Sequence, residues 1–360
     1  MKVNKRLLAL ILIVYPLLGT AWQTPKKEVE SQVTTVTKIE QKVTRVDIDD
    51  DESYSPRLNK PAFGQNGPVV LLDEAHGNQH FDKAFAKLIS ADGFQVLTSR
   101  NEFTFDGLSQ AKILVIINPA VFMPRKWREN PSPLFSDRES AAVRDWVAAG
   151  GSLLFASASS KREASDMLLS SLGVEFQEGH IADHALAETA SKSATPHVGI
   201  TFSREKGTLA DHNILTGRSD TERINAVAFN AAMGISKAPE NAISLIHYSE
   251  KALLFPRDAF LEKQLTEEAK DLRTNGKNET ATSTSPLTTP SPAPAAPVAV
   301  AFMCGKGRVV VIGNSSALSS VIVRRDQPDG GPLSQKFGLG EADNEKFTIN
   351  VMHWLAGLLD

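Results

Sequence analysis

Cysteine is nearly absent from this chain, aromatics are few, and no basic block lies beyond the first residues. Cys304 is the single cysteine, which excludes an intrachain disulfide and any Cys-rich metal site. It sits in the apolar run VAVAFMC, which suits a buried, inert thiol. Aromatic residues make up 7%, which disfavours a stacking platform for single strands or sugars. Net charge is -3, so nothing favours a phosphate backbone or an anionic lipid face, and nucleic acid is not an expected partner. No G-x-S-x-G elbow, G-x-x-x-x-G-K-[ST] loop or G-x-G-x-x-G fingerprint follows a strand-like run. CGKGR is too short and in the wrong order. Ser157, Ser159 and Ser160 follow an apolar run, but no elbow or assigned His partner makes them a hydrolase triad.

What remains suits an ordinary globular protein: 360 residues, 41% hydrophobic and 22% charged. The N-terminus carries a basic segment, MKVNKR, then the apolar LLALILIVYPLLGTAW, with Gly19-Thr20-Ala21 as a small-residue cleavage site. This is the pattern of a secretory signal peptide over 1–21, and the apolar run is short for a full span. Export follows as the expectation: periplasmic, extracellular, or held at the membrane by an uncleaved N-terminus. Residues 22–66 are polar and charged and read as a disordered spacer, within which Val33, Val36, Ile39, Val43 and Val46 could line a short partner-binding helix.

From residue 67 strands and helices alternate. PVVLLD reads as a buried strand, and HFDKAFAKLISADG as a helix with Phe81, Phe85, Leu88 and Ile89 on one face, stopping at Gly93. FQVLTS and KILVIIN read as further strands. Ser136 and Glu139 have capping-box spacing and open a helix with Val143, Trp146 and Val147 inward, ending at Gly150-Gly151. SLLFASA and KREASDMLLSSLG continue the pattern. Nearly all-apolar strands imply a mostly parallel sheet covered on both faces. VGITFS, INAVAF, ISLIHYS, KALLF and RVVVIGNSS carry little helix between them and are expected to extend that sheet and add a hairpin layer. A Pro/Ser/Thr-rich insertion at about 270–297 reads as a disordered excursion between two strands of one sheet, and it carries the sequon Asn278-Glu279-Thr280. The closing helix places Phe347, Val351, Leu355 and Leu358 on one stripe.

In an open α/β sheet ligands bind beyond the carboxyl ends of the strands. Three polar groups fall there: Asp73, Glu74, His76, Asn78 and His80; Asn118 with Pro119; and Asn314, Ser315 and Ser316. His76 and His80 share a face if the stretch is helical. With Asp73 or Glu74 they suit a divalent metal, a carboxylate–imidazole acid/base pair, or a purely structural role, His80 capping the helix and Asp73 pinning a loop. His212 is a further residue that could approach this group. His180 and His184, with Asp183, repeat the spacing in a loop-like stretch, and His353 suits a core or capping role near a helix C-terminus.

Taken together, GPVVLLDEAHGNQH, ADGFQV, ILVIIN, WVAAGGSLLFAS, GTLADHNILTGR, ERINAVAF, GKGRVVVIG and KFGLGEADNEKFTINVMHWLAG resemble secreted bacterial proteins carrying the DUF4350 domain, in order from about residue 61 to the end. The resemblance implies a flavodoxin-like sheet of the class I glutamine amidotransferase type, shared with gliding-motility transporter proteins and an intraflagellar-transport subunit, and no assigned reaction. Relatives show Asp-Glu-Ala-His and a further His, matched by Asp73, Glu74, Ala75, His76 and His80. Where many carry Ala-Asp-His after the GGSLL strand, this chain has Ala156, Ser157 and Ala158, and Asn314 stands where an acidic residue is frequent. Cys304 lies in the wrong element to be an amidotransferase nucleophile. The leading expectation is an exported domain that binds a small molecule, glycan or partner protein at the carboxyl edge, with no resident cofactor. The alternatives are a hydrolase using Glu74, His76 and His80, with His212 or a metal, and an envelope-complex scaffold tethered by 22–66.

Overall fold

The computed structural model describes residues 46–58, 60–64, 66–76, 83–119, 133–157, 166–183, 185–186, 199–230, 232–255, 290–327 and 330–360. The chain divides into two compact units. One comprises 1–47, 258–287 and 324–334, of which only 46–47, 324–327 and 330–334 are described. The other comprises 48–257, 288–323 and 335–360 and holds every side chain discussed below.

Its centre is a seven-stranded sheet: β1 (Val69–Asp73), β2 (Gln95–Ser99), β3 (Ile113–Ile117), β4 (Ser152–Ala156), β5 (Ile243–His247), β6 (Pro297–Cys304) and β7 (Gly307–Ile312). The spatial order is β5-β6-β7-β4-β3-β1-β2. The run from β7 to β2 is parallel, and β6 is antiparallel to both its neighbours. Every residue of β3 and β4 is buried, as a strand covered on both faces requires. Alternation then splits one apolar run between two cores. Ile113, Val115 and Ile117 join Val70 and Leu72 on one face, under Phe85, Leu88 and Ile89 of α1 (Lys83–Ala91). Leu114 and Ile116 join Leu71, Leu153 and Phe155 on the other, under Val143, Trp146 and Val147 of α3 (Asp137–Ala149). Phe85 is fully buried, so Phe85→Ala removes a ring from close packing at a cost of about 3–5 kcal/mol.

Helix ends follow the sequence. Gly93, at φ +98°, stops α1, and an added Cβ there would lie 2.3 Å from the Phe63 carbonyl oxygen. Ser136 and Glu139 form the reciprocal capping box of α3. The short helices α2 (Phe105–Leu108), α4 (Asp166–Ser171) and α5 (Asn213–Thr216) lie between strands, and α6 (Asn344–Ala356) closes the chain with Phe347, Val351 and Leu355 buried.

Three expectations need correction. The spacer does not extend to residue 66: a strand spans Val46–Asp50, Tyr54 is buried, and Phe63 packs edge-on against Phe94 at 4.8 Å. Two aromatic anchors in a polar stretch suffice to dock it, with the Asp51 carboxylate paired to Lys336 at 2.9 Å. KALLF does not join the central sheet. Leu253–Phe255 pairs with His180–Ala182 and with Ser291–Pro292 in a separate small sheet, so the last residues of the Pro-rich excursion are structured. Ile243–His247 is the strand that extends the main sheet, while Ile200–Ser203 and Ala226–Phe229 form the antiparallel pair. The signal segment, residues 22–45 and the sequon lie outside the described residues. Among the described residues no helix is long and apolar enough to cross a membrane.

Candidate functional site

β1 leads through α1 to β2 on one side, and the chain then returns to β3 on the other. The strand order therefore reverses between β1 and β3, the kind of switch point at whose carboxyl ends open α/β sheets place their ligands. Asp73 ends β1 and Asn118 follows β3, so two of the three polar groups flank this point.

The β1 group closes on itself. His76 Nδ1 lies 2.9 and 3.0 Å from the two Asp73 carboxylate oxygens, and Nε2 lies 3.0 Å from Glu139 Oε1. Asp73 is fully buried, His76 is 6% exposed and Glu139 5%. The imidazole packs against two phenyl rings, Phe103 at 4.8 Å and Phe135 at 4.5 Å, which stack on each other at 6.1 Å. Glu139 Oε1 also accepts from the Phe103 backbone N–H at 3.1 Å, and Oε2 accepts from the Ser136 N–H and hydroxyl at 3.0 and 2.9 Å. A neutral imidazole has one N–H, so two carboxylate contacts at 3 Å fit the doubly protonated ring. Burial opposes that charge, but the hydrogen bond and charge of Asp73, followed by those of Glu139, outweigh it and raise the His76 pKa above 6.5. Burial likewise pushes the Glu139 carboxyl up, and its Ser136 and Phe103 donors with the His76 charge bring it below 4.5.

The other predicted residues separate. Glu74 turns away to Arg100 at 2.8 Å beyond the end of β2. Asn78 and His80 lie outside the described residues. His212 caps α5, its Nδ1 accepting from the Ile214 N–H at 3.1 Å, and its ring meets Trp354 at 5.6 Å. The Trp354 carbonyl accepts from Arg308 at the start of β7, and the Leu355 carbonyl from Ser152 at the start of β4. His212 thus sits at the amino end of the sheet, opposite His76, and does not complete that group. His353 is in the core, its Nε2 2.6 Å from Asp92 Oδ2. Asp183 holds Ser249 through its backbone and hydroxyl, His180 opens a short strand, and His184 lies outside the described residues. Among the described residues no cluster of three or more His, Cys, Asp or Glu is placed to hold a metal ion.

The β3 and β7 groups do meet. The Ser315 hydroxyl donates to Asn118 Oδ1 at 2.6 Å, and Asn314 Oδ1 accepts from the Ser316 N–H at 2.6 Å. The ladder runs on past the strand ends, Asn118 N–H to the Ala156 carbonyl at 2.8 Å and Ser157 N–H to the Ile312 carbonyl at 3.2 Å. This brings Asn118, Ser157, Asn314 and Ser315 into one row. Asn230 joins through its N–H to the Ser316 hydroxyl at 3.0 Å. Asn118 has φ +50°, a left-handed conformation that asparagine tolerates better than most residues. The row is neutral: amides and hydroxyls, with no charged side chain among these residues.

Sequence reasoning missed Glu139 as the partner of His76. Its capping role was visible, but a carboxylate has two oxygens, and the second one reaches across 63 positions. In a parallel sheet the amino end of α3 lies at the carboxyl edge of the strands, which is the signal that places Glu139 near His76.

The chain has a seven-stranded, mostly parallel α/β architecture. Among solved structures it is similar to the mmIFT52 N-terminal domain, at 12% identity and a TM-score of 0.49, covering 80% of this chain and 96% of that one. A Thermoplasma acidophilum protein assigned as a GMP synthase component is similar at 7% identity and a TM-score of 0.39, over 81% and 95%. A ThuA-like protein from Parabacteroides merdae is similar at 11% and 0.36, over 82% and 92%. Likeness at this level concerns overall fold and says nothing of substrate. No protein-family model matches the chain, and no curated protein matches it in sequence.

Proposed function

We propose that this chain is an exported binding domain that seats a neutral, hydroxyl-rich small molecule or glycan at the carboxyl edge of its sheet, beside Asn118, Ser157, Asn314 and Ser315, without amidotransferase chemistry. The observation that carries this reading is the Asn118–Ser315 contact across the ends of β3 and β7, within a row of amides and hydroxyls next to the reversal in strand order. The Asn314 carbonyl is engaged by Ser316, while its amide N–H groups have no partner among the described residues. Such donors suit hydroxyl and carbonyl oxygens. Imidazole catalysis loses its support because both His76 nitrogens are engaged. Export is supported by the basic and apolar N-terminal segments.

Thermal unfolding of the full chain against a panel of neutral mono- and oligosaccharides tests the reading. A ligand at one hundred times its dissociation constant stabilises by about 2.7 kcal/mol. At least one saccharide class is expected to give such a shift, and Asn314→Ala to abolish it while lowering the stability of the unliganded protein only by the worth of one hydrogen bond, about 0.5–1.5 kcal/mol. A panel with no shift, or a shift that Asn314→Ala leaves intact, contradicts it.

A further inference from the structure

The two edges of the central sheet are finished differently. At β5 the register breaks twice, Leu209 bridges Ile246, and the segment before α5 takes the outer backbone groups, with Ala210 N–H to the Leu245 carbonyl at 3.0 Å and His247 N–H to the Thr208 carbonyl at 3.1 Å. At β2 nothing comparable is found among the described residues. β2 pairs with β1 in unbroken register over Val69↔Gln95 to Asp73↔Ser99. Gln95–Ser99 contains no charge, no proline and no bulge, the devices that ordinarily guard an edge. Gln95, Leu97 and Thr98 are exposed, Leu97 at 46%.

Backbone direction decides what such an edge can take. The Gln95 N–H donates to the Pro68 carbonyl at 3.1 Å and the Ser99 carbonyl accepts from the Glu74 N–H at 2.7 Å, so Gln95, Leu97 and Ser99 turn their backbone groups toward β1. Val96 and Thr98, alternating with them, turn theirs outward, and neither has a backbone partner there among the described residues. These two outward residues flank Leu97 symmetrically. An antiparallel copy of the same strand, related by a two-fold axis through Leu97, sets Val96 opposite Thr98 and Thr98 opposite Val96, and all four N–H and four C=O groups are satisfied in one step. Gln95 then opposes Ser99 and Leu97 meets Leu97, so no like charges face each other. Leu97 is aligned with Leu71 and stands on the same face, over the core that contains Phe103 and Leu108.

We propose that two copies of this chain associate through antiparallel pairing of β2 with β2, centred on Leu97, to make one continuous sheet. This surface is separate from the row at the strand ends and does not depend on it.

The register gives a position-specific test. Directly opposed residues in a non-hydrogen-bonded antiparallel pair have Cα atoms about 4.5 Å apart, within the range of about 4.4–6.8 Å that a disulfide spans. Two copies of residue 95 would lie four residues apart along the strand, about 13 Å. In the full chain carrying Cys304→Ser, Leu97→Cys is expected to give a disulfide-linked dimer under mild oxidation, and Gln95→Cys is not. Sedimentation velocity is expected to show a concentration-dependent dimer of the unsubstituted chain. Leu97→Lys, at a site already exposed, places like charges across the axis and should raise its dissociation constant roughly tenfold or more. No cross-link at position 97, equal cross-linking at 95, a monomer at all concentrations, or a dimer that Leu97→Lys leaves unchanged would each overturn the proposal.

Discussion

The end of β1 and the ends of β3 and β7 lie on the same edge of one sheet, yet they treat their polar residues in opposite ways. At β1 two carboxylates grip one imidazole against Phe103 and Phe135, with both ring nitrogens engaged. At β3 and β7 the residues are uncharged, and Asn314 keeps its amide donors unpartnered among the described residues. Here the charges fasten a loop to the amino end of α3, while the uncharged row is the one proposed to meet a ligand.

The strongest contrast between the two regions is expected from His76→Ala. Removing the imidazole leaves Asp73 and Glu139 buried without their shared counter-charge, and breaking a buried pair in this way costs about 3–5 kcal/mol. Urea denaturation of the two variants measures the difference: Asn314→Ala removes one hydrogen bond from the Ser316 N–H along with two unpartnered donors, and should cost less, about 0.5–1.5 kcal/mol. Equal losses would mean that both rows are structural.

A subtler effect separates the regions through pH. The His76 pKa is higher in the folded protein, so its stabilisation is complete below about 6.5 and is lost as pH rises through the raised value. His212 behaves in the reverse sense. Burial lowers its pKa, so stability falls as pH drops below about 6.5 toward the lowered value. Glu139, held below 4.5, withdraws its contribution at still lower pH. A stability maximum near neutrality follows, and His76→Ala should flatten its alkaline arm while leaving the His212 part of the acid arm. An unchanged alkaline arm would show that His76 carries no net charge in the fold.

Much of the architecture was legible in the residues. The all-apolar runs at Val69–Leu72, Ile113–Ile117 and Leu153–Ala156 are buried strands, and Phe85, Leu88 and Ile89 recur at a helical period that only one face can satisfy. Ser136 and Glu139 announce their helix because capping is local chemistry. What local patterns could not show depends on partners far along the chain. Tyr54 and Phe63 dock a stretch whose composition reads as spacer, because two aromatics outweigh many polar neighbours once a core is there to receive them. Leu253–Phe255 has the composition of a central strand but finds its partners in Ile181 and Ser291. Asp73 ends a strand, with Glu74 and His76 directly after it. The engagement of His76 depended on Glu139, and His212 was drawn away by its packing against α6; spacing reveals neither.

Central to all of this is His76 as a sealed imidazolium clamp and not a free base. Nitrogen-detected NMR titration of the His76 ring in the full chain decides between the two. The clamp predicts a ring that carries protons on both nitrogens through pH 6.5 and loses one only above it. A ring that titrates at or below 6.5, with one nitrogen free to exchange, would contradict the clamp and make His76 a catalytic candidate again.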